Sequence, residues 1–199
     1  MSTDMLSEMS IGLGGLVMKV RKSSMRALIG AMGLSVVLTI SPVSAAVADD
    51  DYYSNGQNTP RPDVRPYNYN STWQTAIDRA INNWNATYSP VRISKYNNAA
   101  SSITAQSYSD SWYGLYTSCS PNNCMYISLN SRTISASASN FSNYVTSITI
   151  HEFGHSFKLA HRDGQDSIMN RSRNRNTMIN PSSSDVVNVR NYYPGFPNE

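Results

Sequence analysis

Charged side chains are scarce in this sequence of 199 residues, of which 15% are Asp, Glu, Lys or Arg. The chain has 16 basic and 13 acidic residues. Four of the basic and two of the acidic residues precede residue 49, which leaves 12 basic and 11 acidic residues and a net charge of about +1 in the rest. A basic surface of the kind that binds nucleic acid is therefore not expected, and we predict no nucleic-acid partner.

Cysteine is nearly absent, since the sequence has only Cys119 and Cys124, with Ser-Pro-Asn-Asn between them. A zinc knuckle is disfavoured because no second pair of Cys or His residues lies close by. In an exported protein, two cysteines around a Pro-Asn turn predict a small loop closed by a disulfide. Two free thiols are the alternative.

A long hydrophobic run is missing as well. The longest uncharged, mostly apolar run covers residues 27–40 and is shorter than the roughly 20 residues that span a membrane. Basic residues precede this run, and an Ala-Val-Ala tripeptide ending at Ala48 follows it, which is the pattern of a secretory signal peptide. We predict a leader and signal peptide over residues 1–48, with Met18 as a second candidate start. An uncleaved membrane anchor is the alternative.

Cleavage after the signal peptide would release a secreted protein, for which we expect a monomer with no stable membrane association. Residues 49–70 combine three prolines with Asp, Asn and Gly, which predicts an extended lead-in or a short pro-segment. Residues 71–199 have the length of one domain with a single core.

Helical and strand patterns follow one another along this domain. Apolar residues recur at helical spacing from Ser71 to Trp84. A second helix is predicted to start near Asn140 or Ser142, and a third amphipathic stretch ends at Tyr193. Between the first two helices lie four short β-type runs, at residues 91–93, 103–108, 113–117 and 125–129. This order predicts a single α+β domain.

The strongest pattern in the sequence is His151-Glu152-Phe153-Gly154-His155. Residues four apart lie on one face of a helix, so His151 and His155 can bind one metal ion. Glu152 can then take a proton from a water molecule at that ion and pass it to a leaving amine. Two or three neutral imidazoles with one open position suit zinc. No calcium-loop spacing is present, and calcium binding stays open.

A catalytic zinc site of this kind needs a third protein ligand, and His161 is the best candidate. On an unbroken helix, His161 would lie about 9 Å beyond His155 along the axis, which is too far for a shared ion. The helix must therefore end near Phe157 or Lys158, where the chain must reverse. Asp163 is the best alternative ligand.

The stretch from His151 to His161 resembles the long zinc signature of the metzincin metalloproteases. Ser167-Ile168-Met169 resembles the Met-turn of that family, and the matrixin branch with its small secreted bacterial members is the most similar. The resemblance implies a twisted mixed sheet with an N-terminal helix, a zinc-binding helix and a C-terminal helix. It also implies His151, His155 and His161 as zinc ligands, Glu152 as general base, and Met169 as an apolar floor below the metal.

The same resemblance implies an edge strand that pairs with an extended substrate peptide, and the matching residues are Gly114, Leu115, Tyr116 and Thr117. One departure from the family stands at Lys158, where the family has glycine at the chain reversal. Lysine in a left-handed conformation costs on the order of 1 kcal/mol.

Together these patterns predict a secreted zinc metalloendopeptidase that hydrolyses peptide bonds with a zinc-activated water and Glu152 as general base. Two alternatives stay open. The first is a zinc hydrolase that acts on a non-protein amide, such as cell-wall material. The second is a non-catalytic surface protein that zinc stabilises, although a purely structural zinc site would not need Glu152.

Overall fold

The computed structural model describes residues 52–119 and 124–198, all of which fall within one compact unit, Ser44–Glu199. The predicted leader and signal peptide at residues 1–48 lies outside the described residues. Within the described part of the chain, no helix is both long enough and apolar enough to span a bilayer.

The described residues form four helices, and local signals explain where the first one starts. Helix α1 is Ser71–Asn85, and the Asn70 side chain caps it by accepting hydrogen bonds from the backbone N–H groups of Thr72 and Trp73. Its apolar residues are buried, as their helical spacing predicts. The other helices are α2, α3 and α4, at Ser131–Ser137, Phe141–Ser156 and Ser183–Tyr192.

Five strands form one mixed sheet in the order β2-β1-β3-β5-β4. Neighbouring strands pair parallel, except that β4 runs antiparallel to β5 at the edge of the sheet. The predicted α+β class with a mixed sheet is confirmed. The strands β1 to β5 are Asp63–Tyr67, Ser94–Lys95, Ser101–Gln106, Gly114–Cys119 and Cys124–Asn130.

Two details of the sheet differ from the sequence patterns. The run at residues 91–93 is not a strand, although Val91 and Ile93 are buried. The Asn85 side chain bonds both the N–H and the carbonyl of Ile93, so these groups do not join a ladder. Strand β1 lies within the proline-containing residues 49–70, where no strand pattern is visible.

The predicted disulfide between Cys119 and Cys124 is present and joins the end of β4 to the start of β5. It therefore ties the end of the edge strand to the start of its neighbour. The opposite end of β4 begins at Gly114, next to helix α3.

Helix α3 lies in the centre of the core. From Tyr144 to Ser156 every residue of α3 is buried, so the helix is covered on all sides. Helix α1 packs along it, and the Trp84 indole N–H donates to the Ile150 carbonyl at 3.0 Å. A helix enclosed in this way presents its side chains from a rigid support.

Candidate metal centre

Helix α3 supplies three of the predicted site residues from its last two turns. His151, Glu152 and His155 are only 6%, 5% and 9% exposed. The Asn140 side chain caps the start of the helix by accepting from the N–H of Asn143 at 3.0 Å. The two imidazole rings have centroids 4.8 Å apart, as expected for residues four apart on one helical face.

The chain reverses directly after α3, as the position of His161 requires. The N–H of Leu159 donates to the Gly154 carbonyl at 3.0 Å, and the N–H of Lys158 donates to the His155 carbonyl at 3.1 Å. These are the two hydrogen bonds of a Schellman motif. In this motif the residue directly after the C-cap adopts a left-handed conformation. Lys158 is that residue, with φ of 68°, and the predicted reversal point is confirmed.

The surroundings of Lys158 offset part of this strain. Its ammonium lies 4.7 Å from the Tyr193 ring centroid and 5.9 Å from that of Tyr52, which are cation–π distances. Its carbonyl accepts from the N–H of Tyr53 at 2.7 Å. Partial burial lowers the pKa of Lys158. Lys158 thus holds the segment that contains Tyr52 and Tyr53 against the chain reversal.

We expect Lys158→Gly to be more stable than Lys158→Ala by about 1 kcal/mol. Both variants lose the cation–π contacts, but only glycine adopts φ of 68° without a steric penalty, and its extra freedom in the unfolded chain offsets part of the gain. Thermal melts of the two variants measure the difference. A more stable alanine variant would show that residue 158 is not strained, because in ordinary helical geometry alanine is favoured by about 1 kcal/mol.

After the reversal, His161 returns to the two helical histidines. Its ring centroid lies 5.2 Å from that of His151 and 4.7 Å from that of His155. Each of the three residues offers a nitrogen, and these nitrogens all lie within 4.8 Å of one another. The structure thus brings together three histidines that could hold one metal ion, with His161 on the exposed side.

Backbone carbonyls orient the two helical histidines. The Nδ1 of His151 lies 2.8 Å from the Ile168 carbonyl, and the Nδ1 of His155 lies 2.9 Å from the Leu159 carbonyl. Because a carbonyl only accepts, both Nδ1 atoms carry the proton and both Nε2 atoms are left with a lone pair. Burial lowers the pKa of His151 well below its usual value and that of His155 to about 4. Neutral imidazole is the form that binds a metal.

Glu152 lies beside these histidines in a buried position. Burial raises the pKa of its carboxyl to about 7. The positive charge of Arg173 and a hydrogen bond from the backbone of Tyr116 lower this pKa and offset part of the rise. Gly114, the first residue of β4, has no side chain and therefore leaves space for the Glu152 carboxyl group. A Cβ at Gly114 would lie 2.5 Å from Glu152 Oε1 and 2.6 Å from Ile148 Cγ2.

We expect Gly114→Ala to displace the Glu152 carboxylate and to lower any hydrolytic activity by about tenfold or more, because misplacing a reacting group by about 1 Å has costs of this order. The fold should persist, since β4 lies at the sheet edge. The measurement is kcat/KM together with a thermal melt. Ser118→Ala, on the same strand and outside the cleft, is the matched control. Full activity in Gly114→Ala would disprove the tight fit.

The predicted Met-turn residue Met169 is fully buried below the helix. A Cβ at Gly154 would lie 2.3 Å from the Met169 sulfur, so methionine fills the space that this glycine leaves. The turn itself depends on Asp185 of α4, which accepts from the Ser167 hydroxyl at 2.5 Å and from the Ile168 N–H at 2.9 Å. Asp185 therefore fixes the position of Ile168, whose carbonyl orients the His151 ring. The sequence patterns did not indicate this role.

Asp163, the alternative third ligand, does not join the histidines. Its carboxylate accepts from Arg171 through the backbone N–H at 2.9 Å and through Nε at 2.6 Å. These hydrogen bonds hold the pKa of Asp163 below its usual value. Among the described residues, His161 is thus the side chain that completes the cluster.

The histidines and Glu152 open into a cleft of about 510 Å³, which is within the usual size range of ligand sites. Three predicted edge-strand residues, Gly114, Leu115 and Tyr116, line this cleft, whereas Thr117 does not. Sequence reasoning missed the rest of the lining, which includes Tyr53, Trp112, Tyr113, Ile148, Ala160, Arg171, Arg173 and Arg175.

No protein-family model matches this sequence, and no curated protein matches it significantly. Solved structures do match. The GM1-bound form of the ECX AB5 holotoxin is similar with a TM-score of 0.51 and 17% identity over 71% of this chain and 85% of that chain. Myroilysin is similar with a TM-score of 0.50 and 13% identity over 71% of this chain and 83% of that one. At such identities, the likeness shows a shared fold.

Proposed function

We propose that this protein is a secreted zinc endopeptidase of the metzincin type, similar to the matrixins. The observation that carries the proposal is the three-histidine cluster, which lines an open cleft together with the buried carboxyl group of Glu152. A structural zinc site would be closed and would not need an acid beside it. The likeness in fold to myroilysin, a metalloprotease, supports the proposal.

The donor set of the cluster fits zinc. It consists of imidazole nitrogens without thiolates or carboxylates, and at least two of these imidazoles are neutral with a lone pair on Nε2. Imidazole ligands suit zinc better than calcium or magnesium, which prefer oxygen. His151, His155 and His161 would hold the ion. A bound zinc ion supplies Lewis-acid chemistry, which lowers the pKa of a water molecule and polarises a carbonyl.

The residues of the chain supply the remaining functions. Glu152 takes a proton from the attacking water and delivers it to the nitrogen of the leaving amine. The free edge of β4 can pair with an extended peptide through backbone hydrogen bonds. Gly114 at the start of that edge lies against Glu152, so a peptide paired with β4 passes next to the general base.

Cleavage in water labelled with ¹⁸O tests this function. The protein is incubated with casein, with and without a chelator, and the products are identified by mass spectrometry. We expect fragments with ¹⁸O at new C-termini, and none in the presence of chelator. Hydrolysis of amide bonds in cell-wall material, with release of an amine and a carboxylate and without cleavage of casein, would instead support the non-protein substrate. Zinc binding without any hydrolysis would support the non-catalytic alternative.

Secretion is part of the proposal. A disulfide such as that between Cys119 and Cys124 is typical of proteins in oxidising compartments. The intact mass of protein collected from culture medium should correspond to a chain that begins near Val47 or Asp49. A cell-bound product of full length would contradict the predicted signal peptide.

A further inference from the structure

One end of the cleft carries an unusual concentration of positive charge. Arg171, Arg173 and Arg175 follow the Met-turn at alternating positions, and all three line the cleft. Asp163 pairs with Arg171. Among the described lining residues Glu152 is the one acid, so Arg173 and Arg175 together exceed it by one positive charge.

Arg173 is a buried cation that contacts uncharged acceptors. It is 6% exposed, and its guanidinium donates to the Ser147 hydroxyl, the Ser147 carbonyl and the Asn170 carbonyl, each at 3.1 Å. Burial lowers its pKa to about 9, and the charge of Arg175 acts in the same direction. Two like charges thus lie close together, and an anion between or beside them would be stabilised.

Arg175 is held at the cleft but keeps hydrogen-bonding capacity. Its guanidinium carbon lies 4.9 Å from the Tyr113 ring centroid and 5.9 Å from that of Tyr144, and Nη2 donates to the Arg171 carbonyl at 2.7 Å. Its Nε is buried and has no hydrogen-bond partner among the described residues. A buried donor without a partner is costly, and a ligand oxygen would satisfy it.

The contacts between β4 and α3 place this charge at one end of the cleft. Tyr113 meets Tyr144 with ring centroids 5.4 Å apart, and Gly114 meets Glu152. Further along, Tyr116 lies 6.5 Å from His155, and Tyr53 lies 5.1 Å from the same ring. Arg175, which contacts Tyr113 and Tyr144, therefore lies at the Tyr113 end, and the uncharged Tyr53 and Tyr116 lie near His155.

We propose that the cleft selects peptides that place a carboxylate at the Arg173–Arg175 end, next to one side of the scissile bond. This inference rests on the proposed peptidase function and names its substrate class. Arginine matches a carboxylate with two parallel hydrogen bonds, and the carboxylate would satisfy the free Nε of Arg175. The carboxylate can belong to an Asp or Glu side chain or to the C-terminus of the peptide.

Two sets of synthetic peptides distinguish these sources. In the first set, a single Glu or Gln is moved through each position of an otherwise neutral peptide with an amidated C-terminus. In the second set, neutral peptides carry either a free or an amidated C-terminus. Each set is cleaved by zinc-loaded wild type, by Arg175→Gln and by Lys95→Gln. Lys95→Gln removes one positive charge at the opposite edge of the sheet and is the matched control.

For wild type and Lys95→Gln, we expect one position near the cleaved bond at which the peptide with Glu has a kcat/KM about tenfold to a hundredfold higher than the peptide with Gln. If the C-terminus supplies the carboxylate, the peptide with a free C-terminus should instead have this advantage over the amidated peptide. Arg175→Gln should lose most of this preference. Circular dichroism checks that both variants fold.

Cleavage of acidic and neutral peptides at equal rates by wild type would overturn the inference and leave the proposed peptidase function intact. The same conclusion would follow if the preference persisted unchanged in folded Arg175→Gln. Failure of zinc-loaded wild type to cleave any peptide would instead defeat the proposed function and this inference with it.

Discussion

Replacing Glu152 with glutamine is expected to lower kcat by about a hundredfold to ten-thousandfold while zinc and fold are retained. An amide has nearly the shape of a carboxylate and fits the same space beside Gly114 and Ile148. It cannot accept the proton of the attacking water, so the general-base contribution is lost. The measurements are kcat, zinc content and a thermal melt on one preparation.

The matched control for this variant is Gln74→Glu on α1, which makes the reverse exchange at a half-buried position away from the cleft. It should retain full activity. Turnover of Glu152→Gln within a fewfold of wild type would contradict the general-base assignment, whatever its zinc content. Loss of zinc from this variant would instead mean that Glu152 holds the metal.

Replacing His161 with alanine is expected to remove the metal and the activity together. His161 is the exposed member of the cluster, so its loss leaves two ligands on α3 and does not disturb the core. Losing even a supporting residue of a metal site typically lowers affinity by 10–100-fold, and a lost ligand should exceed this. Zinc affinity by competition with a chelating dye measures the change.

Asp163→Ala is the comparison, because Asp163 is two residues away and pairs with Arg171 at the surface. This variant should keep both zinc and activity, since exposed ion pairs contribute little to stability. Retention of zinc in His161→Ala together with loss in Asp163→Ala would reassign the third ligand to the aspartate.

Local patterns were sufficient to predict α1, α3, α4 and the metal cluster, whereas the short helix α2 was not predicted. The helical spacing from Ser71 to Trp84 predicts α1, and the spacing of His151 and His155 predicts their shared face. The reversal at Lys158 could also be predicted, because only a turn there returns His161 to the helix. Each of these features depends on residues close together in the chain.

Features that depend on distant residues could not be predicted. Asp185 supports the turn at Ile168 across 17 residues, and Arg173 reaches Ser147 across 26. The close approach of Gly114 to Glu152 depends on how the sheet packs against α3. Strand β1 was missed because parallel pairing with β3, rather than its own residues, stabilises it.

Zinc titration of metal-free protein, followed by peptide hydrolysis, tests the central claim most directly. The three-histidine centre predicts no hydrolysis without metal, a linear rise as zinc is added, and a plateau at about one zinc ion per chain. Hydrolysis that is undiminished in metal-free protein, or zinc binding at this stoichiometry without any hydrolysis, would contradict the account.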